Sequence, residues 1–298
     1  MAEELCAISD EITLCYEAFG DPADPPALLV MGLGTQMIAW HEDFCRELAG
    51  RGLYVVRFDN RDAGRSTHLS GAPPTLRQMV RRDKAAAHYL LGDMAADAAG
   101  LLRELGLGPA HVIGASMGGM IAQTLAARHP DSVRSMVSIM AGTGSRWAGQ
   151  PALRVYPMFL RRAPRDRDAF VEYTARAFAA IGSPGFPQDL DALREMAGRS
   201  FDRESDATGT GRQLAAILAS GDRSAELRRI DAPTLVVHGT ADKLVAVSGG
   251  RATAKAIRGS ELLLIDGMGH DLPRGAWPLI IDAIEANVAR ADPARQPA

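Results

Sequence analysis

The chain has 298 residues, 47% of them hydrophobic and 23% charged, with a formal net charge of -3 at pH 7. That length supports one large core, or a core with a small appended subdomain, and excludes a disordered or fibrous chain. The near balance of charge gives no pull toward nucleic acid or an anionic membrane, so neither is expected as a partner.

Met1 to Asp10 lacks the basic stretch and apolar run of an export signal, and no later apolar run approaches the length of a membrane span. A cytoplasmic protein, monomer or homodimer, is expected. Cys6, Cys15 and Cys45 match no zinc or redox spacing and read as reduced, buried small hydrophobes.

An N-terminal hairpin (Leu5 to Ser9, Ile12 to Phe19) precedes the turn Gly20-Asp21-Pro22. Short apolar runs bounded by turn residues then predict buried strands at Ala27 to Met31, Tyr54 to Phe58, Ala110 to Ile113, Val133 to Ile139, Thr234 to His238 and Glu261 to Ile265. Helical patterns lie between them at Thr35 to Gly50, Asp93 to Leu105, Met117 to Arg128, Ser248 to Arg258 and Gly275 to Ala289. This alternation predicts a parallel sheet covered by helices on both faces.

Residues 142–229 break the rhythm with helical patterns and turn clusters but no convincing strand. They are expected to form an inserted helical cap, with 1–141 and 230–298 forming the core. Trp147, Phe159 and Phe178 in this segment are candidates to line a substrate pocket; each can alternatively pack the cap's own helices.

The chemistry begins at Gly114-Ala115-Ser116-Met117-Gly118, a Gly-x-Ser-x-Gly sequence that follows an apolar run and opens a helical one. On such a sharp strand-to-helix turn, larger residues flanking the serine would collide, and the turn lifts the hydroxyl above the sheet. A serine hydroxyl needs a neighbouring base held by a carboxylate. Asp242 and His270 each stand just beyond a predicted strand, in the downstream order that this arrangement requires. Asp266 reads as a turn former and Asp271 as pointing elsewhere. A metal pair of His238 and Asp242 finds no third ligand, so no metal or other cofactor is expected.

Attack on a carbonyl creates an oxyanion that needs two N–H donors. Met117, next after the serine, is the candidate for one. The other falls to Leu33 in Met31-Gly32-Leu33-Gly34, whose Gly32 and Gly34 are also placed at the substrate. The charged stretch Phe58 to Ser66 is expected to form an Asp and Arg hydrogen-bonded turn that braces the loops around the site.

In these motifs, together with Asp59-Asn60-Arg61-Asp62-Ala63-Gly64-Arg65-Ser66-Thr67 and Gly267-Met268-Gly269-His270-Asp271-Leu272-Pro273, the chain resembles the α/β-hydrolase superfamily over nearly its whole length. It is most similar there to the aclacinomycin methylesterase group. The resemblance implies the α/β-hydrolase fold, with a mostly parallel eight-stranded sheet, and a small hydrophobic ester as substrate, such as a methyl ester of a polyketide. Serine at position 116, where haloalkane dehalogenases and most epoxide hydrolases have aspartate, implies acyl transfer. Proline iminopeptidases, lactonases and cofactor-free haloperoxidases share the same motifs, and some proteins of this fold bind a small molecule without turning it over.

Overall fold

The computed structural model describes residues 2–155, 163–204, 206 and 208–292. Its strands are β1 (Glu4–Ala7), β2 (Thr13–Phe19), β3 (Pro26–Val30), β4 (Tyr54–Phe58), β5 (Ala110–Ala115), β6 (Val133–Ile139), β7 (Thr234–Gly239) and β8 (Glu261–Ile265). They form one eight-stranded sheet in the order β1-β2-β4-β3-β5-β6-β7-β8. β2 runs antiparallel to β1 and β4, and every other pairing is parallel.

The unbroken apolar character of the inner strands follows from burial on both faces. Along β3, Leu28 and Val30 face one core with α3 (Leu91–Glu104) and α4 (Met117–Arg128), where they meet Leu101 and Ile121. The alternate residues Ala27 and Leu29 face a second core with α1 (Glu42–Gly50) and α10 (Trp277–Ala291), where they meet Phe44 and Ile280. Alternation of side chains across a strand thus builds two layers from one segment.

The remaining helices are α2 (Leu76–Arg81), α5 (Arg167–Ile181), α6 (Leu190–Arg203), α7 (Thr208–Ser220), α8 (Ser224–Leu227) and α9 (Ser248–Ala256). Among the described residues between β6 and β7, only helices and loops occur. The last part of this insert packs onto the sheet layer, since Ala216 and Leu227 belong to the same cluster as Leu28 and Val112.

Two elements depart from expectation. The helix predicted from Thr35 begins only at Glu42, preceded by a 3-10 turn at Met37–Ala39. The Met37 N–H donates to Asp59 Oδ1 at 2.7 Å, and the His41 ring accepts from Asp43 N and caps α1, so the chain is held out of a helix before His41. α2 has no sequence counterpart because it buries no residue and so shows no apolar period; it is held by a capping box between Thr75 and Gln78. All three cysteines are free, but Cys6, on the edge strand, is only half-buried.

Candidate active site

Ser116 lies between β5 and α4 with φ 57° and ψ -120°, a left-handed conformation that a side chain rarely adopts. Two glycines make the turn possible. A Cβ at Gly114 would lie 2.1 Å from Gly118 O, and one at Gly118 would lie 2.0 Å from Val30 O. Ser116 N–H donates to Ile139 O at 2.9 Å, tying the turn to β6.

His270 Nε2 lies 2.9 Å from Ser116 Oγ, and His270 Nδ1 lies 2.7 Å from Asp242 Oδ2. The other oxygen, Asp242 Oδ1, accepts from Leu244 N at 2.8 Å and Val245 N at 2.9 Å. With both oxygens engaged, the buried carboxylate has one orientation. A proton on Nδ1 facing it leaves Nε2 free to accept the serine proton.

His238 stands beside the same carboxylate, its Nε2 3.5 Å from Asp242 Oδ2. That nitrogen faces Val245 O at 2.8 Å. Burial pushes the His238 imidazolium down, so the ring stays neutral and donates to that carbonyl. Asp266 accepts from Thr240 Oγ1, and Asp271 pairs with Ser183, so neither competes for His270. Among the described residues no group of three or more His, Cys, Asp or Glu could hold a metal ion.

Met117 opens α4, directly after Ser116, so its N–H has no acceptor within the helix. The loop carrying Leu33 packs against the serine, and a Cβ at Gly32 would lie 3.1 Å from Ser116 Cβ. This loop is braced on two sides. Asn60 Nδ2 donates to Met31 O at 2.9 Å, and Gly34 N–H donates to Gln213 Oε1 at 2.8 Å. Gln213 also donates to Arg61 O.

The charged stretch after β4 anchors the insert. Asp59 receives Met37 N–H, Arg65 N–H and Arg203 from α6. Asp62 receives both Nε and Nη2 of Arg212 from α7, at 2.8 and 2.6 Å, and the Tyr89 hydroxyl. The arginine side chains on these two carboxylates are not those of the expected local turn, since Arg61 pairs with Asp97 and Arg65 with Glu3; they come from 144 and 150 residues away and carry no local signal.

Ser116, His270 and the Met31–Gly34 loop open onto a cavity of about 2360 Å³. Gly32, Leu33, Gly34, Met117 and Phe178 all line it, with Met120, Leu214 and Trp277. Trp147 does not. It is 94% exposed, held by a turn in which its N–H donates to Ser145 Oγ. Phe159 lies outside the described residues.

Comparison with known proteins adds an independent line. The chain is 28% identical to a rhodomycin D methylesterase of Streptomyces peucetius, over 95% of this chain and 97% of that one. It is 25% identical to a 3-oxoadipate enol-lactonase of Acinetobacter baylyi, covering 87% of this chain and 86% of the relative. In three dimensions it is similar to the esterase RhEst1 from Rhodococcus sp. ECU1013, with TM-score 0.73 at 22% identity, covering 97% and 99% of the two chains. It is similar also to an enol-lactonase from Burkholderia xenovorans LB400, with TM-score 0.72 at 22% identity and coverage of 95% and 99%. The alpha/beta hydrolase fold family model matches residues 25–273, which include every strand from β3 onward, and the chain belongs to that family.

Proposed function

We propose that this protein is a carboxylic ester hydrolase that works through an acyl-enzyme on Ser116. The observation that carries the reading is the hydrogen-bonded chain from Ser116 Oγ through His270 to Asp242, opening onto a large cavity. In this reading Ser116 Oγ attacks the ester carbonyl while His270 Nε2 takes its proton. The Leu33 and Met117 N–H groups receive the oxyanion, each contributing roughly 100-fold to 1000-fold in rate. The intermediate collapses, and His270 returns the proton to the departing alcohol. Water, deprotonated by the same imidazole, then attacks the acyl-enzyme; the second intermediate collapses as His270 passes that proton to the departing Ser116 Oγ, which frees the acid and restores the hydroxyl. Every proton and electron pair is accounted for by side chains and water, so the cycle calls for no cofactor.

The substrate we infer is a bulky, largely apolar ester, with a methyl ester on a polycyclic skeleton as the leading case. Two observations support it: the similarity to a rhodomycin D methylesterase over nearly the full length of both chains, and the cavity. At about 2360 Å³ the cavity exceeds the roughly 300–1,000 Å³ of a site for a drug-sized ligand. The helical insert 142–229 acts as a cap in this reading, supplying Phe178 and Leu214 to its lining. The free thiols fit a cytoplasmic location.

Ser116→Ala tests the reading. It is expected to abolish turnover of p-nitrophenyl butyrate and labelling by a fluorophosphonate while leaving the fold intact. Most of the activity surviving that change would overturn it, and a wild-type protein inert to both reagents would mark a binding protein instead. A panel of methyl, acetyl and butyryl esters and lactones then ranks the substrate classes.

A further inference from the structure

A histidine on a loop makes an effective base only if the loop is held to within a fraction of an ångström. From the core, the loop after β8 is held by Gly267 N–H to Thr240 Oγ1 at 3.1 Å and by Ala241 N–H to Met268 O at 3.0 Å. The other side is held by the end of α5 and the residues after it. His270 N–H donates to Ile181 O at 2.8 Å, and Gly185 N–H donates to Gly267 O at 2.9 Å.

The backbones meet without intervening side chains. A Cβ on Gly269 would lie 2.3 Å from Gly182 O, and one on Gly267 would lie 2.7 Å from Gly185 Cα. At the centre of this contact is Ser183, 1% exposed. Its Oγ accepts from Gly269 N at 2.8 Å and donates to Asp271 Oδ1. One hydroxyl therefore grips the residues on both sides of His270.

We propose that Ser183 and Asp271 are a positioning pair that fixes the His270 imidazole against Ser116, so that the helical insert holds the base in place. The inference rests on His270 being the base, as proposed above. Deleting the hydroxyl would leave the buried Gly269 N–H without its acceptor and leave the half-buried Asp271 carboxyl with only the Ser183 backbone N–H, and an unsatisfied buried group drives local rearrangement. Burial already pushes the Asp271 carboxyl up, so its charged form depends on the Ser183 bonds that remain. The rearrangement would fall on the loop that carries the base.

The experiment uses the full chain, assayed with p-nitrophenyl butyrate well below the melting temperature of each variant. Ser183→Ala is expected to lower kcat about 10-fold to 100-fold with KM changed by less than about twofold. Asp271→Ala should match it. Asp271→Asn, which keeps an acceptor for the Ser183 hydroxyl, should recover most of the lost rate. The double alanine variant should be no slower than either single one, because the two residues act as a unit. Should Ser183→Ala fail to fold, the comparison of Asp271→Ala with Asp271→Asn carries the test alone. Wild-type kcat in the alanine variants, with or without a lowered Tm, would overturn the proposal, and so would a change confined to KM. A Ser116→Ala control separates the two levels: if it remains active, the hydrolase reading has failed; if it is dead while Ser183→Ala is fully active, only the positioning role has.

Discussion

Ser116 is readable in the sequence because the turn that exposes it has a local cause, the two glycines that its backbone geometry demands. Gly118→Ala should therefore be among the most damaging single changes. Its Cβ would stand 2.0 Å from Val30 O, so β3 or the start of α4 must move. We expect a loss above about 4 kcal/mol, or no soluble protein; a Tm near that of the wild type would contradict the geometry. Asp242→Asn separates chemistry from stability. The asparagine Oδ1 can still accept the Leu244 and Val245 N–H groups, but the amide cannot hold the imidazole in the tautomer that the Asp242 carboxylate selects. Kcat should fall by about 10³–10⁴ with the circular dichroism spectrum unchanged; a loss below tenfold would leave Asp242 without the orienting role. The residues that sequence reasoning did not find, Ser183 and Gln213, lack any such local cause. Their meaning lies in partners 86 and 179 positions away, which no spacing rule reaches.

At the scale of elements, the strands were legible to within a residue or two, the inner ones because burial on both faces leaves mostly apolar runs between turns. The helices were legible where one face is buried. α2 was missed because it has no buried face, and the start of α1 was misplaced because Asp59, far off in sequence, claims the Met37 N–H. Trp147 was drawn into the pocket by its chemistry alone, since a large aromatic residue is far more often covered than bare. The insert also holds the core through buried ions, and this has a consequence that can be measured. Arg212 is 2% exposed and its guanidinium meets a fully buried Asp62 carboxylate through two bonds. Removing Arg212 leaves the Asp62 carboxylate buried with two neutral donors, the Tyr89 hydroxyl and the Leu69 N–H, and no opposite charge. Arg212→Ala is expected to cost about 3–5 kcal/mol in urea unfolding. Arg212→Lys should restore only part, because an ammonium cannot supply the parallel pair of N–H groups. A cost below about 1 kcal/mol for the alanine variant would mean that the ion pair adds little to what holds α7.

For the whole molecule, the sheet order places Ser116, Asp242 and His270 beyond the C-terminal ends of β5, β7 and β8, which explains why a topology rule could bring together three side chains that no stretch of sequence contains. The same packing sets the response to acid. His238 is held neutral by burial in the fold, whereas in the unfolded chain it titrates near 6.5. As pH falls below that value the unfolded chain takes up a proton that the folded chain refuses, so stability is full above it and declines below. Asp62 acts lower on the scale. Burial alone would push its carboxyl up, but Arg212, Tyr89 and the Leu69 N–H together hold it below 3.8, so its contribution is present above that pH and lost as pH falls through the depressed value. Asp97 and Asp271, both raised by burial, work in the opposite sense: they favour the fold in acid, and that contribution is lost as pH rises through their raised values. His41 is also held down, but its half-exposed ring adds a smaller slope of the same sign as His238. The difference between two profiles isolates the central term. Urea midpoints of the wild type should fall between about pH 7 and about pH 5. The same profile for His238→Gln, whose amide can still donate to Val245 O, should be flatter over that interval. Parallel profiles would show that the acid response comes from other groups and that the buried ring accepts its proton without cost.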